Sequence, residues 1–276
     1  MKAIERFLLV FIVLLFLCPG VVVRAGDVME VVGEGVSAFE LDTTLAEVMA
    51  TALNNARRNA LEKAVGLEVR GSTVVYNTRL VNDLIVTATR GLIVEEKVLE
   101  SEPYVSSGRI YYRVKILAKV KPLKISGESR LRILDVSIRK PGTEPSRAYP
   151  VFQNGDEIVI KVSVNERCHL YIFSVDQWGK VTRLLPNRYI QRNIARPEKE
   201  FVFPRRVDRE LGFRLKANLP EGFKRAVESI IVIAVRDDVD FLKGVKNPTV
   251  TDLMRDLSLL PIEKWSQKTA GYEIRK

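Results

Sequence analysis

The stretch Thr51 to Gly66, TALNNARRNALEKAVG, sets the tightest constraint in this chain. With the residues just upstream, its apolar positions are Leu45, Met49, Ala52, Leu53, Ala56, Ala60 and Ala64. They step by three and four, which is the spacing of one buried helix face. That face is mostly alanine, so the helix can lie very close to a sheet. Thr44-Leu-Ala-Glu47 reads as a capping box, with Thr44 accepting from an N3 amide and Glu47 reaching back. Gly66 is placed to end the helix. Arg57 falls near one edge of the stripe and Arg58 points away from it, so both are expected on the outer side.

The neighbouring segments supply the sheet. Val28 to Phe39 reads as a strand, with Gly33 and Gly35 marking a bulge or a close backbone approach. The same segment spells G-x-G-x-x-A, but a dinucleotide-binding turn opens a helix directly within a βαβ unit, and here strand residues follow. Leu80, Val81, Leu84, Ile85 and Ala88 give a second amphipathic helix ending at Gly91. Two strands follow, Leu92 to Glu100 and Arg109 to Val120, joined through Ser106-Ser107-Gly108. The last alternates: Ile110, Tyr112, Val114, Ile116, Ala118 and Val120 on one face, four cations on the other. The expected fold of residues 27–122 is therefore α+β, a small antiparallel sheet with two helices on one side.

Lys121 to Ser129 is a polar seam with a Pro and a Gly, a natural boundary. Beyond it, residues 128–276 carry many short strands: Leu131 to Ile138, Glu157 to Val164, Cys168 to Val175, Lys180 to Leu185, Phe201 to Phe203, Gly212 to Lys216 and Ser229 to Val235. The turn Asp176-Gln-Trp-Gly179 separates two of them. Thr249 to Leu259 reads as a late helix and Gly271 to Ile274 as a last strand. Regular strands with Gly, Pro and Asn turns predict an all-β, sandwich-like domain.

The N-terminus has the layout of a secretory signal. Lys2 and Arg6 precede an apolar run from Phe7 to Cys18, Pro19-Gly20 follows, and Val23 and Ala25 stand where a signal peptidase reads. The expectation is a signal peptide at residues 1–25, with an uncleaved anchor as the alternative. The run is short for a spanning helix, which needs roughly 20 residues. Leu17 before Cys18 argues against a lipid-modified cysteine. Removing residues 1–25 takes three cations and one anion from a chain of +10, leaving +8. A basic exported protein faces lipid headgroups, acidic glycans or acidic protein surfaces rather than nucleic acid.

Candidate chemistry is sparse. After cleavage only Cys168 remains of the two cysteines, and His169 is the one histidine, so a disulfide and a Cys/His zinc site are both excluded. Neighbours on a strand face opposite sides, so Cys168 and His169 do not act together, and Cys168 is expected in the core. Asp237, Asp238 and Asp240 lack the glycine and terminal glutamate of a calcium loop. No P-loop, H-E-x-x-H or G-x-S-x-G motif is present. No catalytic residue, metal or cofactor is assigned. The strongest charge feature is Asn187 to Arg225, with eleven cations against five acids. Arg188, Arg192, Arg205, Arg206, Arg209 and Arg214 are the candidate anion- or partner-binding residues, since Arg suits bidentate contacts to carboxylate or phosphate. The alternative is a solvated surface with internal ion pairs.

Two resemblances sharpen these expectations. V-V-G-E-G-V-S-A, A-x-x-N-A-R-R-N-A-L-E-K-A-V-G, L-I-V-E-E-K-V-L-E and Y-Y-R-V-K-I-L-A-K-V resemble the N-terminal domain of flagellar assembly protein T and related small outer-membrane lipoproteins. That resemblance implies a periplasmic or outer-membrane-associated assembly module and carries over no catalytic residue. V-F-Q-N-G-D-E-I-V-I-K-V, C-H-L-Y-I-F-S-V-D-Q-W-G-K-V-T-R-L-L-P-N, F-R-L-K-A-N-L-P-E-G and I-I-V-I-A-V-R-D-D resemble an uncharacterised β-rich bacterial domain, over roughly residues 149–238. Such domains occur in exported proteins or fused to caspase-like peptidase and protein kinase domains. The resemblance implies an interaction module. The expectation is a non-enzymatic exported envelope protein with protein partners. Binding of anionic lipid or glycan through the Arg-rich face is the first alternative, and an envelope hydrolase the second.

Overall fold

The first strand and the first helix meet through glycine and alanine. In the computed structural model, residues 28–65, 91–122, 130–144 and 150–276 are described. The signal peptide expected at 1–25, the second helix expected around Leu80 and most of the polar seam lie outside them. Strand β1 spans Met29–Ala38 and helix α1 spans Leu45–Val65. A Cβ built on Gly33 would stand 2.2 Å from the Ala56 carbonyl oxygen, and one on Gly35 would stand 2.1 Å from that of Ala52. The pairing of β1 runs without a break from Met29 to Ala38, so the glycines mark close approach and not a bulge. The capping box forms as the sequence predicts: Thr44 N–H donates to Glu47 Oε2 at 2.8 Å, and Glu47 N–H donates to Thr44 Oγ1 at 3.3 Å.

α1 also closes the free edge of β1. Asn55, Asn59 and Lys63 follow each other at four-residue steps. Asn55 Nδ2 donates to Val36 O, Asn59 Oδ1 accepts from Glu34 N, and Lys63 Nζ donates to Val32 O, at 2.8, 3.1 and 2.8 Å. Side chains thus satisfy backbone groups that a bare edge strand offers to another chain.

Strands β2 (Gly91–Ser106) and β3 (Arg109–Pro122) complete an antiparallel sheet of order β1-β3-β2. The predicted alternation of β3 holds: Tyr112, Val114, Ile116, Ala118 and Val120 are buried under α1. Its cations face the other way and meet glutamates of β2. Arg113 pairs with Glu102 at 2.6 Å, Lys115 with Glu100 at 3.0 Å and Lys119 with Glu95 at 2.9 Å. β2 runs six residues past its predicted end, through Pro103, which an edge strand tolerates.

The rest is a sandwich. One sheet centres on β6 (Glu157–Val164), which pairs with β4 (Ile133–Arg139), β10 (Phe201–Phe203) and β11 (Leu215–Lys216). The other has the order β5-β13-β12-β7-β8, made of β5 (Val151–Gln153), β7 (Cys168–Val175), β8 (Val181–Leu185), β12 (Arg225–Val235) and β13 (Trp265–Arg275). A two-residue strand β9 (Ile194–Ala195) adds to β7. Between the sheets lie Ile158, Ile160, Leu170, Ile172, Ile230, Val232 and Ile274. The outer face of the second sheet carries Tyr171, Phe173, Ile231 and Ile233, covered by Leu253, Met254 and Leu257 of a helix at Val250–Ser258, here α3 because a short α2 (Arg206–Glu210) precedes it. The late helix appears where the sequence predicts it. β13 begins six residues before its predicted start, because its polar half pairs with β12 throughout.

One carboxyl lies among three adjacent strands of the second sheet. Glu228 on β12 faces Tyr272 on β13 and accepts hydrogen bonds from the Tyr272 and Ser174 hydroxyls. Burial pushes its carboxyl above the ordinary glutamate range. A raised folded-state value means that protonation favours the fold: this stability is fully present below about pH 4.3 and is lost as pH rises through the folded value. Glu228→Gln is therefore expected to match the wild type in thermal melting near pH 4. It should melt increasingly above it as pH is raised to neutrality. A gap that shrinks with rising pH would contradict the assignment.

Candidate functional site

The Arg-rich segment resolves into paired and unpaired cations. Arg205 caps the one-and-a-half turns of α2: its guanidinium donates to both Asp208 oxygens at 2.9 and 2.7 Å, and its own N–H donates to Asp208 Oδ2 at 2.9 Å. The Arg205 guanidinium holds the Asp208 carboxyl below the usual range. Arg206 pairs with Glu210 at 2.8 Å. Arg209 and Arg214 share one carboxylate, that of Glu157, at 3.5 and 2.7 Å. Arg188 lies over the ring of Tyr189, 4.5 Å from its centroid. Arg188 and Arg192 have no carboxylate partner among the described residues. Of the six predicted residues, then, four are held in ion pairs and two are left open to an anion.

The candidate chemical groups are spread over separate structural tasks. Cys168 is buried between the sheets, and burial, with the nearby Glu166 charge, pushes its thiol up to about 11. His169 faces the opposite side, with Nδ1 3.4 Å from Asn193 Oδ1 and 3.8 Å from Asp238 Oδ1. Tyr171 donates its hydroxyl to Asp238 at 2.5 Å and accepts from Val239 N–H at 2.7 Å; burial, then Asp238, pushes its phenol up to about 12. The three aspartates considered for calcium go to different partners. Asp237 meets Lys264, Asp238 meets Tyr171, and Asp240 meets Arg183 and Lys243. Among the described residues no group of three or more His, Cys, Asp or Glu is placed to hold a metal ion. None of the described helices is long and apolar enough to cross a membrane.

The main correction concerns Arg57. It does not point outward: it is 4% exposed and lies between α1 and the sandwich. Its guanidinium donates to Glu96 of β2 through Nε at 2.9 Å and Nη2 at 2.5 Å. It also donates to Asn54 Oδ1 at 3.2 Å and to the Trp178 carbonyl at 3.3 Å. Asn54 Nδ2 donates to the Gln177 carbonyl at 3.2 Å. The predicted turn Asp176 to Gly179 is thus gripped by α1. Gly179 has φ +84°, and a Cβ there would meet Arg57 Nη1 at 2.8 Å.

Further contacts complete the junction. Glu47, besides capping α1, accepts from the Lys224 and Arg225 amides with its other oxygen, at 3.2 and 3.1 Å. Arg255 of α3 donates to Val94 O at 3.2 Å, Lys121 Nζ donates to Ser258 O at 2.7 Å, and Leu92 of β2 is buried in the apolar cluster under α3. A cavity of about 40 Å³ remains between Arg57, Leu92, Val175 and Met254, with the buried Thr251 hydroxyl on its wall.

Comparison with known proteins bears on the sandwich alone. No curated protein matches the chain. Residues 151–236 match a family model described as Domain of unknown function (DUF4384), a span running from β5 through β12.

Proposed function

We propose that this chain is a non-enzymatic, exported envelope protein that works as a binding or assembly module, with its α+β part and its sandwich acting as one body. The observation that carries this reading is the junction. Arg57, Glu47, Arg255 and Lys121 each cross from one part to the other with a charge-assisted hydrogen bond. Polar contacts of this kind fix the mutual orientation of two surfaces. The resemblance of the first part to the flagellar assembly protein T domain and to outer-membrane lipoproteins supports an assembly role, and the N-terminal layout supports export. Protein partners of the envelope are the expected ligands, with nucleic acid not among them.

The test is in-cell photo-crosslinking from Leu41 and Ile110, which are both exposed on the α+β part, followed by fractionation. A discrete crosslinked protein species in the envelope fraction is expected. A chain found in the cytosol, or uncrosslinked from both positions, would overturn the reading.

A further inference from the structure

α2 is built inside out. Its carboxylate, Asp208, is buried at 6% exposure, while Val207 and Leu211, four residues apart on the same side, are 47% and 83% exposed. In water a short helix turns its aspartate out and its leucine in. The inversion is enforced by the Arg205–Asp208 pair and by Phe213, whose N–H donates to Asp208 O at 2.9 Å. Phe213 in turn packs on Phe203 in the core and on Tyr189 at the surface, with ring centroids 5.9 and 6.1 Å away. Tyr189 is 66% exposed. The two aliphatic side chains and the tyrosine therefore stand on one anchored surface.

Cations adjoin this apolar tip along the chain. Arg188 covers the Tyr189 ring, Arg192 is unpaired among the described residues, and Arg206 is almost fully exposed in a solvent-screened pair with Glu210. Arg209 and Arg214 with one shared Glu157 leave a surplus positive charge beside it. Aliphatic side chains that protrude, a tyrosine at their edge and guanidinium groups around them match the layers of a bilayer surface: acyl chains, interface and phosphate. A glycan offers nothing for Leu211 to enter. We propose that Tyr189, Val207 and Leu211, with Arg188, Arg192 and Arg206 around them, dock onto an anionic lipid bilayer. The proposal stands apart from the assembly reading, whose crosslinks are taken from the α+β part.

Hydrogen exchange of the full chain, read by mass spectrometry, tests it with phosphatidylcholine vesicles that contain or lack phosphatidylglycerol. The apolar run at residues 7–18 is present in both arms, so their difference isolates the headgroup charge. Slowed exchange at 188–192 and 206–213 is expected with phosphatidylglycerol only, and it should fade as salt is raised. Leu211→Asp, and separately Arg188→Glu with Arg192→Glu, should each weaken that protection by at least tenfold in lipid concentration while leaving the melting temperature unchanged. Equal protection on both vesicles, the same protection from free glycerol phosphate or dextran sulfate, or protection that survives Leu211→Asp would each overturn the proposal. So would the absence of protection on phosphatidylglycerol.

Discussion

Replacing Gly35 by valine is expected to unfold the α+β part. Even the first added atom has no room: it would lie 2.1 Å from Ala52 O and 2.2 Å from Ala56 N, both backbone atoms of α1. A side chain in the way can change rotamer; a helix backbone can only move as a whole. Moving α1 outward would open its alanine face and break the bonds from Asn55, Asn59 and Lys63 to β1. Overpacking into a yielding core costs about 1–3 kcal/mol. Against backbone the cost should lie at or above the top of that range. Gly108→Ala is the control. It sits at φ +73° with nothing within 4 Å, so only the left-handed backbone is penalised, by about 1–2 kcal/mol. Circular dichroism and denaturant melts should show near-normal folding for Gly108→Ala and loss of α1 helicity for Gly35→Val. Equal, mild effects would mean that α1 does not press on β1.

Arg57→Met is expected to loosen the junction while sparing both cores. It would leave Glu96, whose side chain is 17% exposed, together with Asn54 Oδ1 and the Trp178 carbonyl, without their shared donor. Removing one partner of a buried pair costs about 3–5 kcal/mol, and partial access of water to Glu96 places this case near the lower end. At roughly 2–4 °C per kcal/mol for a chain of this size, Tm should fall by about 10 °C. Arg57→Lys should not rescue it, since one ammonium cannot reach Glu96, Asn54 and Trp178 O at once. Arg57→Met combined with Glu96→Leu should recover most of the loss, because the stranded carboxylate is then gone. A double variant no better than the single one would mean that the pair is not the source of the effect.

These residues also mark what the sequence makes legible. Gly33, Gly35 and the alanines of α1 narrow the choice to a bulge or a backbone near a backbone, and the unbroken pairing of β1 selects the second. Thr44 and Glu47, the alternation of β3 and the turn at Asp176 to Gly179 are local patterns, and all are realised. Arg57 is different. On the helical wheel it sits at the edge of the apolar stripe, where a charged residue ordinarily turns to water. Its burial depends on Glu96, 39 residues on, and on Trp178, 121 residues on. No local period carries that information. The same holds for the Arg-rich segment: its sequence leaves open an anion-binding face or internal ion pairs, and only the placement of Glu157, more than fifty residues earlier, shows Arg209 and Arg214 to be paired. The exposed Val207 and Leu211 were equally hidden, because a five-residue helix is too short to show a period and its inversion depends on Asp208 pointing inward. The second helix expected near Leu80 lies outside the described residues and stays an expectation.

The two parts are expected to behave as one body. Native-state hydrogen exchange reads this directly, since amides that open together share one opening free energy. The amides of α1 and of β7, on the two sides of Arg57, are expected to share that value in the wild type and to part in Arg57→Met, with α1 opening first. An α1 that already opens at a much lower free energy than β7 in the wild type, and is unmoved by Arg57→Met, would contradict it.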